Sequence, residues 1–222
     1  MRSACALNAH DGGGRMPVIA VDGPAASGKG TLARRLAEHF GFHWLDTGLL
    51  YRAVAWRMPA GDAAQDPERA IAVAGAFEPA WLAAAELRGE AAGRRASQVS
   101  AIPGVRAALL AYQRGFARQA PGAVLDGRDI GSVVCPDAEA KLYVTAQVEV
   151  RAARRLKELR DAGTQTIYAA VLQDLIERDR RDTQRAAAPL KAAGDALVLD
   201  TSGFDADQAF AAALALIEPQ MI

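Results

Sequence analysis

A lysine set among glycines is the first place where this sequence could do chemistry. Gly23, Pro24, Ala25, Ala26, Ser27, Gly28, Lys29, Gly30 and Thr31 follow the short apolar run 18–21 and precede a helical pattern. In a strand-to-helix setting, glycines let backbone amides turn inward around phosphates and the helix N-terminus adds a favourable dipole. Lys29 would bring a point charge to the terminal phosphates. Gly30 stands where a Ser or Thr usually follows the lysine, so Thr31 is the candidate near a magnesium ion. A plain tight turn is the alternative reading, but motif and context agree on nucleotide phosphate binding, with the reaction left open.

The second chemical resource is arginine. Of 26 Lys and Arg residues only Lys29, Lys141, Lys157 and Lys191 are lysines, so 22 are arginines. Most fit an Ala- and Arg-rich composition that uses Arg as a solvated cation. Some could converge on phosphates, which a planar guanidinium grips with paired hydrogen bonds. The 26 Asp and Glu residues bring the formal net charge to zero, which excludes a bulk binder of nucleic acid polymers but not a locally basic cleft. Cys5 and Cys135 are too few for a disulfide framework and lack metal-ligand spacing, which fits a reducing cytoplasm. His39 and His43 show no metal partner, and Trp44, Trp56 and Trp81 read as packing rather than base stacking.

Several elements must position these groups. Residues 18–21, 43–45, 123–125, 142–145 and 196–199 read as five strands, alternating with helices over 29–40, from about 49 to before Pro59, after Pro103, and over about 148–161, 167–180 and 205–217. That alternation predicts an α/β fold, a doubly wound five-stranded parallel sheet covered on both faces. Ligands of such sheets bind beyond the carboxyl ends of the strands. There lie Asp22 and Gly23, Asp46 and Thr47, the run Asp126 to Asp129, and Asp200 and Thr201. Residues 59–102, punctuated by Pro59, Pro67 and Pro79, read as an insert in a single domain spanning 17–222. Residues 1–16 read as a disordered extension with Met16 as a candidate start, lacking the apolar centre of a signal peptide. No apolar run approaches the roughly 18 residues of a membrane span.

Beyond the phosphate loop, the segments 46–52 (DTGLLYR), 96–99 (ASQV), 103–106 (PGVR), 126–131 (DGRDIG), 178–185 (RDRRDTQR) and 188–190 (APL) resemble bacterial cytidylate kinase in order and spacing from residue 18 to about 217. The resemblance implies a P-loop nucleoside-monophosphate kinase core with a base-side insert and a mobile lid over about 178–190. It implies transfer of the γ-phosphoryl group of ATP to CMP or dCMP with Mg²⁺, by a cytoplasmic monomer. It also implies roles. Arg52, Arg128 and Arg185 match positions that hold the acceptor phosphate, with Thr47 in the same motif as Arg52. Arg178 matches one that approaches the transferring group, making Lys29, Arg128, Arg178 and Arg185 the catalytic candidates. Ser97, Arg106 and Asp129 match base-contacting positions, and Asp182 matches a ribose contact. Arg154 and Arg155 are candidates for ATP, one of them plain surface. Asp126 has two readings, holding magnesium through water or ordering its loop. Without the resemblance, 178–185 reads as a solvated helix end laced with ion pairs, and Ser97 as a cap or turn residue. The stretch between Arg52 and Ser97 is roughly fifteen residues shorter than a typical bacterial member would have.

Asp129 is informative on its own. A carboxylate accepts from the exocyclic amino group of cytosine, whereas uracil presents a carbonyl there, a mismatch of about 1–3 kcal/mol. It argues against a UMP or shikimate kinase on the same scaffold. A nucleotide-binding switch is the alternative of a different class, but the chain has no Asn-Lys-x-Asp guanine signature.

Overall fold

The computed structural model describes residues 16–59 and 65–221; residues 1–15 of the extension expected over 1–16 lie outside the described residues. Five strands form one parallel sheet in the order β2-β3-β1-β4-β5: β1 (Val18–Asp22), β2 (His43–Asp46), β3 (Ala123–Gly127), β4 (Ala140–Thr145) and β5 (Leu197–Asp200). The helices are α1 (Lys29–Phe40), α2 (Thr47–Arg57), α3 (Pro67–Gly75), α4 (Glu90–Val99), α5 (Pro103–Ala117), α6 (Val148–Asp161), α7 (Tyr168–Gln184) and α8 (Ala206–Ile217). From β1 the chain winds outward to the β2 edge; after β3 it crosses to the other side of β1 and continues through β4 to β5. That reversal of winding opens a crevice at the carboxyl ends of the central strands.

Side-chain alternation along β1 divides the core. Val18 and Ala20 face one layer with Leu50 and Val54 of α2, Ala70 of α3, Val99 of α4 and Leu109 of α5. Ile19 and Val21 face the other, with Leu32 and Leu36 of α1 and Ile217 of α8. Both faces are thus covered, as the near-continuous apolar strands require. A third, smaller cluster packs Ala152 and Leu159 of α6 and Val171 and Leu175 of α7 against Ala25 of the phosphate loop. Among the described residues no helix is long and apolar enough to cross a membrane.

Local signals explain the ends. Gly41 closes α1 in the left-handed region (φ 69°), where glycine carries no Cβ penalty. Pro103 opens α5 in its first turn. Asp205 and Gln208 form a reciprocal capping box on α8. Two element bounds are corrected. β4 begins at Ala140 rather than Leu142, with Lys141 buried, its stem in the sheet and its amine on Asp195 (2.6 Å). α7 continues to Gln184 instead of ending near 180, because its charged last turns face partners across the cleft rather than solvent. The insert resolves into α3, two short 3-10 turns (Pro79–Ala83 and Ala85–Arg88) and α4, with Ala70, Ala74, Ala96 and Val99 buried in the layer shared with α2 and α5.

Candidate active site

The turn after β1 is shaped by two glycines. Gly23 (φ 153°) passes so close to β4 that a Cβ would lie 2.0 Å from the Val144 carbonyl oxygen, and Gly28 caps α1 in the left-handed region (φ 85°). The loop between them opens onto a cleft of about 300 Å³. Lys29 is half-buried beneath the loop, with Nζ donating to the Pro24 carbonyl at 3.3 Å. Burial, and then the neighbouring Arg128, lower its pKa to about 7, against the opposing pull of Asp126 and Asp46. A lysine held this way gains from an arriving anion.

All nine acceptor-side candidates line the same cleft: Thr47, Arg52, Ser97, Arg106, Arg128, Asp129, Arg178, Asp182 and Arg185. They come from four separate regions of the chain, so the fold alone unites them. Thr47 Oγ1 donates to the Asp126 carbonyl at 2.8 Å, joining α2 to the end of β3. Arg128 Nε donates to Asp182 Oδ2 at 2.8 Å, joining the β3 turn to α7. Burial works to raise the Asp182 pKa, yet Arg128 and Arg178 hold it below the ordinary carboxylate value. Asp129 accepts from Arg106 Nη2, and its other oxygen lies 3.7 Å from Arg185 Nη2. Ser97 Oγ accepts from Arg181 Nε at 3.3 Å.

Arg52 and Arg178 meet no carboxylate partner among the described residues. Arg52 Nη1 donates to the carbonyls of Leu87 and Gly89, at 2.8 and 3.1 Å. The buried Nε of Arg178 meets no acceptor among the described residues; burial, and then Arg128, lower the Arg178 pKa to about 10, Arg52 adding to the repulsion. The two guanidiniums converge on Gly93 of α4, where a Cβ would lie 3.3 Å from Arg52 Nη2 and 3.5 Å from Arg178 Nη1. A pair of like charges sharing a low-dielectric wall is a receptor for a doubly charged anion.

Asp126 sits at the end of β3 level with Asp46 of β2. Burial, and then Asp46, raise its pKa to about 7 despite Lys29 nearby, so this carboxylate pair is short of positive charge. Thr31 lines the same cleft. Among the described residues no three carboxylate, histidine or cysteine ligands cluster.

On the donor side, Ala25, Ala26, Gly28, Gly30, Thr31 and Arg155 reach the cleft, whereas Gly23, Pro24 and Ser27 shape the loop from behind. Arg154 is turned away: its guanidinium donates to the carbonyls of Thr201 (2.6 Å) and Phe204 (3.0 Å) after β5. Four contributors are given no site role by the sequence reading. Asp22 accepts the amides of Ile130 and Gly131, at 2.8 Å each, and so anchors the turn that carries Arg128 and Asp129; its place at a strand end was the available signal. Tyr51 floors the cleft beneath Arg106, whose guanidinium lies 5.3 Å from the ring centre. Gly93 looked like any glycine in a weak helix. Trp44, read as packing, is 38% exposed and its indole N–H donates to Asp126 Oδ2 at 2.9 Å. Trp56 and Trp81 flank the Arg57 guanidinium at 4.8 and 4.7 Å; Trp81 also meets Phe77 edge-on, whereas Trp56 is itself 37% exposed.

A phosphate loop facing clustered arginines describes many kinases, and comparison with known proteins narrows the choice. The cytidylate kinase family profile matches residues 19–219. Cytidylate kinase of Paramagnetospirillum magneticum is 60% identical over 204 residues, covering 90% of this chain and 97% of the relative. The cytidylate kinases of Rhodospirillum rubrum and Afipia carboxidovorans are 57% and 55% identical, covering 90% of this chain and 96% and 97% of their own lengths. Such near-complete coverage indicates that these relatives share the compact stretch between Arg52 and Ser97. Among solved structures, an uncharacterized protein from Eubacterium ventriosum has the same fold, with a TM-score of 0.57 at 14% identity over 92% of this chain and 99% of its own. On the match along nearly its whole folded length, this chain belongs to the cytidylate kinase family.

Proposed function

We propose that the chain transfers the γ-phosphoryl group of ATP to CMP or dCMP, giving ADP and CDP or dCDP. The observation that carries this reading is the single cleft that joins Lys29 of the phosphate loop to Arg178 and to the Asp129–Arg106 pair. ATP would lie with its phosphates against the loop amides, Lys29 and Arg155. The acceptor phosphate would sit on Arg52, Arg128 and Arg185, with Arg178 over the transferring group. An oxygen of the acceptor phosphate attacks the γ-phosphorus, and the bond to the β,γ-bridging oxygen breaks as ADP leaves. A phosphate monoester is largely dianionic at neutral pH, its second pKa being about 6, so the nucleophile needs no general base. Catalysis is then positioning and charge stabilisation, the work that buried guanidiniums do well.

Asp129 accepts from the cytosine amino group, Arg106 donates to the ring nitrogen and carbonyl, and Ser97 completes the base edge. Asp182, an acceptor-only carboxylate, takes the ribose hydroxyls. Magnesium suits the Asp126 end: a buried carboxylate short of positive charge, in the cleft that Thr31 also lines, matches an ion held mainly by water and substrate oxygens. Bound there, Mg²⁺ would offset the charge spread over the phosphates. Residues 178–190 are proposed to close over both nucleotides and exclude water.

A coupled assay with MgATP across CMP, dCMP, UMP, AMP and shikimate tests the reading. CMP and dCMP should be phosphorylated far faster than the rest; comparable rates with AMP would defeat the proposed specificity.

A further inference from the structure

Arg151 belongs to none of the motifs that led to the cleft, yet it is only 5% exposed. Its guanidinium is engaged in three directions. Nε donates to the Ala146 carbonyl beyond β4 at 2.9 Å, Nη1 to the Ala25 carbonyl of the phosphate loop at 3.1 Å, and Nη2 to Asp179 Oδ2 at 2.6 Å. Ala25 lies four residues before Lys29; Asp179 directly follows Arg178 and precedes Asp182 by three. One side chain therefore links the loop that presents Lys29 to the helical turn that presents Arg178 and Asp182.

The apolar cluster of Ala25, Ala152, Leu159, Val171 and Leu175 brings the same segments together. Contacts of that kind are non-directional and leave room for sliding. A planar fork fixed at three points does not, and a lysine, with its charge on one nitrogen, cannot reproduce it. Arg151 does not itself line the cleft, so it acts on the reaction through the groups it holds.

We infer that Arg151 is a positioning residue that sets the separation and register between the phosphate loop and the Arg178-bearing turn of α7, aligning donor and acceptor phosphates for in-line transfer. The inference rests on the kinase reading of the cleft. A misplacement of about 1 Å at a reacting centre costs on the order of a hundredfold in rate, which sets the scale of the expected effect.

The test uses the full chain with Arg151→Met, Arg151→Lys, Asp179→Asn and the Met/Asn double variant, reading kcat, KM for ATP and CMP, and melting temperature. In Arg151→Met kcat should fall about ten- to a hundredfold while each KM stays within about threefold. Arg151→Lys should not restore kcat. The double variant should be no slower than Arg151→Met, because both substitutions break one link. Wild-type kcat in folded Arg151→Met, or additive losses in the double variant, would overturn the inference. Should Arg151→Met fail to fold, Asp179→Asn decides, its side chain being a quarter exposed: a kcat equal to wild type overturns the proposal. Failure of the kinase reading would look different, as absent CMP phosphorylation in the wild-type chain.

Discussion

Replacing Asp22 with Asn should change how stability depends on pH, by an amount the structure sets. Asp22 is 4% exposed and accepts two backbone amides, Ile130 on Oδ1 and Gly131 on Oδ2. Burial raises its pKa from 3.8 to about 6 even though both amides favour the charged form. The folded protein thus holds a proton that the unfolded chain has already released. The associated stability is fully present below pH 3.8 and is lost as pH rises through about 6. A shift of this size corresponds to about 3 kcal/mol over the whole window, and about 2 kcal/mol between pH 4.5 and 7. Asn does not titrate, so the variant escapes that loss. It also turns an NH₂ toward a backbone N–H, costing about 1–3 kcal/mol, and so starts less stable than wild type at pH 4.5. With about 2–4 °C per kcal/mol for a domain of this size, the variant's melting temperature relative to wild type should rise by about 4–8 °C from pH 4.5 to 7. Thermal melts of both proteins at the two pH values measure this, and parallel curves would refute the burial argument. The same variant should lose turnover, because Ile130 and Gly131 directly follow Asp129; an unchanged kcat would refute the anchoring of that turn.

Asp129→Ala should reduce the CMP to UMP ratio of kcat/KM by about 5- to 150-fold, the equivalent of 1–3 kcal/mol of base discrimination; initial rates with the two acceptors check this. Lys29→Ala should lower phosphoryl transfer on the order of 10²–10³-fold, read as ADP formation with CMP present. Gly93→Ala should oppose stability to function. Its added Cβ favours helix by up to about 1 kcal/mol yet crowds Arg52 Nη2 at 3.3 Å, so the melting temperature should rise together with KM for CMP.

Local patterns were legible because their physics is local. The strand-to-helix turn of residues 22–29, the stop at Gly41 and the start at Pro103 each follow from backbone preferences of one or two residues. Alternating strands and helices then left little choice but a parallel sheet with its polar ends gathered at one edge. The acceptor residues were found by resemblance of motifs, since charge alternation over 178–185 by itself describes a solvated helix end. The last turns of α7 show why that description is insufficient: Asp182 is 4% exposed because Arg128, fifty-four residues away, meets it across the cleft.

The sequence by itself determined the phosphate loop, the α/β architecture and the residue types gathered at the strand ends. Only the tertiary structure decided which charges are paired and which are left over. It committed Arg154 to carbonyls beyond β5, tied Trp44 to Asp126, set Arg52 and Arg178 together against Gly93, and buried Arg151 between the phosphate loop and the turn of α7 that carries Arg178. Pairing depends on distances between segments far apart in the chain and on the low dielectric that burial creates. Neither quantity is written in composition or spacing, and a chain with zero net charge can therefore hold a cleft with cations to spare.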